Sequence, residues 1–327
     1  MILIVQKVHD KFVSSTKAKQ VNGLSVCVDM IAKISNKFKI INCTSHEKVY
    51  EEIKMSKPKS VIFEAMSFSY ITLLEVKRMF PEVNIFLHIH SKFPFLGTEN
   101  NSITHIQKCI ENGIQIIFNH RDGLRAFSNK NCHYIPNYYE VSVLGNIEKN
   151  KDHSVINVGC HGSLRHFKNQ IVQVSAACIL AKQLGKKLRF HINSSRDDGE
   201  RLSILNAIDR LLIINGAELI HTEWLPHKDF IKYIMSNIDI GMQVSLCETF
   251  NMVAADYVTA KIPLVVSPEI DWLPKEIMAN PTNILDIVAK MKYALEQKDL
   301  SNNNLECLVN HNIKAVDDWE AFIEHYS

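Results

Sequence analysis

The chain has 327 residues, 46% of them hydrophobic, with only 11 glycines and 9 prolines, which suits a well-packed globular protein of two ordinary domains. Its 37 basic and 35 acidic residues nearly balance, which argues against a dedicated, strongly basic nucleic-acid module. The eight cysteines are scattered without a CxxC pair and read as reduced, partly buried small residues of a cytosolic protein.

The opening run Met1-Ile-Leu-Ile-Val5 breaks into polar residues, too short for a signal core and well sized for a first strand. No membrane span follows. Residues 2–5, 39–42, 60–63, 84–89 and 114–118 read as buried strands of a parallel sheet. Residues 23–37 and 102–112 carry apolar residues at helical spacing, with Ile103, Ile106 and Ile110 on one face. Alternation of strand and helix predicts an α/β layer architecture. Pro136-Asn-Tyr-Tyr139 closes this unit, and the polar stretch 145–153 reads as a linker.

A second α/β unit starts with the strand 155–159 and the helix 169–184, which ends at Gly185. Strands are expected at 187–192, 218–221, 238–244 and 262–266, and amphipathic helices at 284–297 and 315–325. The expected domains are therefore 1–140 and 154–305, with 306–327 a terminal helix that packs back on the first. Open α/β sheets bind ligands beyond the carboxyl ends of their strands, so the loops there carry the search for function.

Four loops stand out. Ser245-Leu-Cys-Glu248-Thr-Phe-Asn-Met-Val-Ala-Ala-Asp256 places one acid at an expected helix start and another eight positions on. Unpaired N–H groups and the positive dipole end at a helix start suit diphosphate and sugar oxygens. Glu248 is placed to accept from sugar hydroxyls, and Asp256, roughly 80° further round the expected helix, to reach another part of one elongated ligand. Gly159-Cys-His-Gly162-Ser-Leu-Arg165-His-Phe-Lys168 combines close backbone approach with two cations that can stabilise a leaving diphosphate. Val21-Asn22-Gly23 offers N–H donors at the first helix, as a substrate contact or as a plain cap. Phe86-Leu-His88-Ile-His90-Ser91 puts two histidines on one side of a strand. No carboxylate lies near them in sequence to complete a metal site, so no metal is expected. His90, beside the expected loop 92–96, reads as the active-site histidine and His88 as structural. Asn193, at the end of a strand, and Trp224-Leu-Pro-His227, entering a helix, are weaker candidates for the nucleotide.

Gly162, Lys168-Asn169, Trp224-Leu-Pro-His227, Asp239-Ile-Gly, Ser245, Glu248, Asp256 and Ile262-Pro263-Leu-Val-Val together resemble the C-terminal domain of retaining GT-B glycosyltransferases of the family-four type, marked by an E-x7-E signature. That half, with Val61-Ile-Phe-Glu64-Ala and His90-Ser-Lys-Phe-Pro-Phe-Leu, is also similar to bacteriophage-encoded glycosyltransferases. The resemblance implies two Rossmann-like domains whose parallel sheets face each other across a cleft. It implies a nucleotide-sugar co-substrate, read as a UDP-sugar, and no other cofactor. Glu248 and Lys168 would take the sugar and the diphosphate, with His90 near the anomeric carbon. The donor would also meet Asn22, Gly23, Gly162, Ser163, Arg165, Asn193 and the N–H groups of Thr249, Phe250, Asn251 and Met252, while Asp256 would hold the ribose. Two departures stand out: the second acid is the shorter Asp256, and Ser163 occupies the family's arginine position, so that Arg165 would supply that charge.

The phage-like resemblance points to hydroxymethylated pyrimidines in DNA as the acceptor, with Lys17, Lys19, Lys92, Arg121 and Arg125 as a basic rim. Competing expectations are a nucleotide-sugar epimerase or phosphorylase on the same fold, and a nucleotide-sugar- or DNA-binding module without catalysis.

Overall fold

A computed structural model describes residues 1–7, 23–98, 101–141, 145, 152–195 and 201–327. The chain forms two compact units, residues 1–140 with 311–327, and residues 141–310.

The first unit is built on six parallel strands: β1 (Ile2–Lys7), β2 (Phe38–Cys43), β3 (Ser60–Glu64), β4 (Asn84–Ile89), β5 (Gln115–Phe118) and β6 (Cys132–Tyr134), in the order β2-β1-β3-β4-β5-β6. Helices α1 (Gly23–Ala32), α2 (His46–Ser56), α3 (Tyr70–Met79), α4 (Phe93–Thr98), α5 (Ser102–Glu111) and α6 (Arg121–Phe127) alternate with them. Residues 2–5 are fully buried and uniformly apolar, as a strand covered on both faces must be. The order reverses beside β1, so the chain leaves β1 and β3 in opposite directions and opens a crevice at their carboxyl ends.

Three local expectations are corrected. Residues 93–98 are helical where a loop is expected, with Leu96 buried as the anchor. In α5 the buried apolar positions are Ile106 and Cys109, with Ile110 packed beside them, while Ile103 is exposed. The C-terminal helix is far longer than 315–325.

The second unit has five parallel strands: β7 (Val155–Gly159), β8 (Lys187–Asn193), β9 (Glu218–Thr222), β10 (Ile240–Gln243) and β11 (Leu264–Val266), ordered β11-β10-β7-β8-β9. Helices α7 (Gln170–Leu184), α8 (Arg201–Ile214), α9 (His227–Asn237), α10 (Met252–Thr259) and α11 (Ile284–Glu296) connect or follow them. Helix α7 is buried on most of its circumference because α8 and α11 flank it, and it ends at Gly185 with φ +64. Here the order reverses between β7 and β10.

Those two strands meet at paired glycines, Gly159 and Gly241. The Tyr257 ring of α10 lies on the bare backbone they leave: a Cβ on Gly241 would stand 2.7 Å from the ring, and one on Gly159 would collide with the phenol oxygen. The last helix, α12 (Leu300–Tyr326), is a single 27-residue element, of which residues from His311 onward belong to the first unit. Its Trp319 is fully buried against Phe38, His88 and Phe322 and donates to the Pro136 carbonyl at 3.2 Å. Among the described residues no helix is long and apolar enough to cross a membrane.

Gly241→Ala is expected to destabilise the second unit by about 1–3 kcal/mol through overpacking against Tyr257, read as a lower urea midpoint at unchanged slope. Measured against Tyr257→Phe alone, which loses the bond to His161, adding Gly241→Ala should cost the same amount again, because the clash involves the ring and not the hydroxyl.

Candidate functional site

The reversal between β7 and β10 sets the loops leaving these two strands side by side. The first runs from Cys160 through a 3-10 turn, His166–Lys168, to Asn169, which takes φ +59 and leads into α7. The second runs from Val244 to Asn251, which takes φ +61 and caps α10, its side chain accepting from the Ala254 N–H at 2.9 Å. Backbone and amide contacts join them: Leu246 N–H donates to the Phe167 carbonyl at 2.8 Å, Asn169 donates to the Val244 carbonyl at 3.1 Å, and Gln173 accepts from Val244 N–H at 2.9 Å.

Across this junction Lys168 pairs with Glu248. The Glu248 carboxylate is 6% exposed and also accepts from the Ser245 hydroxyl at 2.9 Å; the lysine side chain is 21% exposed. A carboxylate this sequestered needs its counter-charge, and removing one partner alone would leave an uncompensated charge. Glu248 lies three residues before the cap and not at the helix start. The helix begins only at Met252 because Phe250 and Asn251 are held in place first. Trp272 stacks on Phe250 at 5.2 Å and donates to its carbonyl at 2.7 Å, and Asn251 donates to Gln243 at 2.9 Å. The expected 80° helical offset between Glu248 and Asp256 therefore does not apply, and Met252 is the first residue with a helix-start N–H.

Asp256 is buried within α10, its Oδ1 2.6 Å from His227 Nε2 at the start of α9. Asn193 accepts from the Gly162 N–H at 2.9 Å and donates to the Glu223 carbonyl at 3.2 Å, so its amide ties three strand ends together. Gly162 is buried with φ +112, a conformation that demands glycine. Ser163 and Arg165 are half-buried, and the Ser163 carbonyl accepts from Gln170 at 2.9 Å. Thr249 is half-buried between Glu248 and Phe250.

Beneath these loops lies a polar network missed in the sequence. His161 pairs with the Tyr257 hydroxyl, and His191 with the Tyr233 hydroxyl at 2.6 Å and the Asn157 side chain at 3.1 Å. Burial pushes His161 down to about 3, with the charge of His191 adding to it. Burial also holds His191 at about 4, helped by Arg189.

In the first unit, Gly23 opens α1, while Asn22, Lys17 and Lys19 lie outside the described residues. His88 and His90 share one side of β4, and the neighbouring strand supplies the carboxylate that the local sequence lacks. Glu64, in register with His88, lies 3.2 Å from His88 Nδ1 and 2.8 Å from His90 Nε2. The signal for Glu64 was a charge at the end of an otherwise apolar buried strand. Of the expected basic rim, Lys92 and Arg125 both face Asp122, at 4.0 and 3.8 Å, and Arg121 stacks on Tyr134.

No protein-family model matches the chain, and no curated protein matches it by sequence. By structure it is similar to the trehalose-6-phosphate synthase OtsA, at 13% identity over 99% of this chain and 98% of that one, with a TM-score of 0.74. It is similar also to sucrose-phosphate synthase from Thermosynechococcus elongatus (10%, 99% and 98%, TM-score 0.75) and to Anabaena HepE solved with UDP and glucose (12%, 99% and 98%, TM-score 0.69). At such identities the likeness shows the fold: two Rossmann-like units of the GT-B type.

The buried histidines give the second unit an acid sensitivity. An unfolded histidine titrates near 6.5, whereas His161 and His191 stay neutral in the fold until about 3 and 4. Their contribution is complete above pH 6.5 and is lost as pH falls below it, since only the unfolded chain takes up protons there. Unfolding free energies from urea titrations should hold between pH 7.5 and 6.5 as far as these two groups are concerned, then fall by up to about 1.4 kcal/mol per pH unit per histidine down to pH 4.5, and less steeply in His191→Gln.

Proposed function

We propose that the protein is a retaining GT-B glycosyltransferase that moves a sugar from a nucleotide-sugar donor, read as a UDP-sugar, to an acceptor hydroxyl without a divalent metal. The observation that carries this reading is the Lys168–Glu248 pair at the reversal point of the second sheet, beside the start of α10. The fold supports it, as do the UDP-sugar ligand described for a trehalose-6-phosphate synthase and the UDP and glucose described for HepE.

In this reading a diphosphate competes with Glu248 for Lys168, with Arg165 as second cation and the Gly162 backbone close by. The carboxylate so released accepts from sugar hydroxyls, and the N–H groups near Met252 face the sugar and diphosphate. Asp256, braced by His227, takes the ribose. His90 keeps the role that the resemblance gives it, near the anomeric carbon. The anomeric C–O bond to the diphosphate breaks, the acceptor oxygen bonds to the same face of that carbon, and the acceptor's proton passes to the departing phosphate. The developing charge on the leaving group is what the cations stabilise, and removing one such donor typically costs ~10²–10³ in rate.

The acceptor is read as a hydroxymethylated pyrimidine in DNA, on the sequence resemblance to phage enzymes. Such a target requires phosphate contacts and extrusion of the base from the duplex.

Nucleoside diphosphates should raise the melting temperature by several degrees, since ligand at ~100 times its dissociation constant adds about 2.7 kcal/mol. Glu248→Gln keeps the Ser245 and Lys168 hydrogen bonds possible and leaves the remaining charge on Lys168, the more exposed partner, so it is expected to fold, with transfer reduced at least ~10²-fold. Full activity in this variant refutes the assignment. A donor isomerised without acceptor indicates an epimerase, and nucleotide binding with no diphosphate released under any acceptor indicates a binding module. For the DNA acceptor, incorporation of the donor's sugar into hydroxymethylated but not unmodified duplex is expected, with binding that weakens steeply between about 50 and 200 mM salt.

A further inference from the structure

Glu64, His88 and His90 form a second group of chemistry-bearing side chains, at the carboxyl ends of β3 and β4. Parallel pairing sets Glu64 opposite His88, and the two-residue period of the strand brings His90 to the same side. One potential ligand atom from each lies within 4.8 Å of the other two. Both oxygens of Glu64 face imidazole nitrogens, one 3.2 Å from His88 Nδ1 and the other 2.8 Å from His90 Nε2. Tetrahedral zinc with bonds of about 2.1 Å holds its ligand atoms about 3.4 Å apart, so these contacts are already near the required spacing.

The surroundings decide between an ion and a plain hydrogen-bonded cluster. Glu64 is 1% exposed and His88 is wholly buried, while the His90 side chain is 15% exposed. A carboxylate so enclosed is costly unless it is paired with a charge or coordinates a metal. Glu248, the comparable acid of the second unit, has Lys168. Among the described residues Glu64 has only the two imidazoles as ion-pair partners, and no lysine or arginine reaches it. His88 Nε2 is buried without a partner among the described residues whether Nδ1 donates to Glu64 or binds an ion, so it does not separate the two states. The carboxylate does. A divalent ion is the counter-charge it lacks, and two imidazoles with one carboxylate are a ligand set that zinc accepts. The set is also held in advance. Ala65, directly after Glu64, takes φ +53, which a residue with a Cβ adopts only where its surroundings hold it, and Trp319 lies against His88 with ring centres 5.8 Å apart. His90, the member with an edge towards solvent, gives an ion its way in.

We propose that the first unit binds one divalent ion of the zinc type through the Glu64 carboxylate, His88 Nδ1 and His90 Nε2. Each imidazole binds as the neutral ring, its proton carried on the other nitrogen. The ion is no catalyst in the transferase reading. It ties up the histidine which that reading places near the anomeric carbon, so zinc inhibits transfer. This consequence rests on the transferase reading; the metal site does not.

The test is calorimetric titration of ZnCl2 into the full chain at pH 7.5, after a chelator has been used and dialysed away. Wild type is expected to bind one equivalent at this site with a dissociation constant in the micromolar range or below. With eight cysteines and 15 histidines in the chain, binding alone does not locate the ion, and the variants do. Glu64→Gln and His90→Gln should each weaken it at least ~10²-fold while keeping the wild-type far-UV spectrum. No binding in the wild type, or binding of equal strength in both variants, overturns the proposal. Should Glu64→Gln fail to fold, His90→Gln, altered at the partly exposed member, decides alone. Saturating zinc should slow donor turnover by the wild type ~10²-fold, with recovery on adding EDTA. Zinc bound at the site with turnover unchanged refutes the inhibition. A wild type that turns over no donor removes the transferase reading, while calorimetry still accepts or rejects the metal site.

Discussion

The contact on which the second unit depends is that of one aromatic ring with two bare stretches of backbone. Gly159 and Gly241 are opposite each other on the central strands, and Tyr257 lies across them where any side chain would intrude. This seats α10 close to the sheet. Because α10 carries Asp256 and begins at the Asn251 cap, the same contact sets the height of the whole loop from Ser245 to Met252. The hydroxyl of Tyr257 continues into His161, on the loop that leaves β7. The two loops at the sheet's reversal are thus indexed to one buried side chain before any ligand arrives.

That indexing explains how an ion pair can be both sequestered and usable. Lys168 and Glu248 neutralise each other on loops whose backbones are bonded together, so neither group has to be ordered by the ligand. In the proposed reading, exchanging the carboxylate for a diphosphate would keep the lysine paired and free an acceptor for hydroxyls. Such preorganisation places the cost of arranging charge in the fold and not in the reaction. Several neighbours, Asn193 and Asn251 above all, have both ends of their amides engaged by the protein. They act as scaffold for the loops they join.

The first unit applies the same logic with different chemistry. Parallel pairing brings Glu64 beside His88, and the two-residue period of β4 brings His90 to the same side. A charged side chain at the end of a buried strand is costly unless it is fully partnered, and here two imidazoles share that task.

The sequence by itself determined the class of fold. Uniformly apolar runs can only be strands covered on both faces, and their alternation with helical spacing admits little besides parallel α/β units; β4 and β7 appear where that pattern placed them. It also identified Lys168, Glu248 and His90 as polar residues in loops or at strand ends, and Asp256 as an acid within the following helix. Tertiary structure decided what those residues touch. The pairing of Lys168 with Glu248 spans 80 positions, that of Asp256 with His227 spans 29, and that of His90 with Glu64 spans 26, and no local spacing encodes them. It also decided the ends of elements: α10 starts late because Trp272 and Gln243 hold the residues before it, and α12 runs through Ser301-Asn-Asn-Asn304 because Leu300 and Leu308 on either side are buried. Helical propensity is worth tenths of a kcal/mol per residue, burial of a side chain several times more, and so packing sets what local preference leaves open.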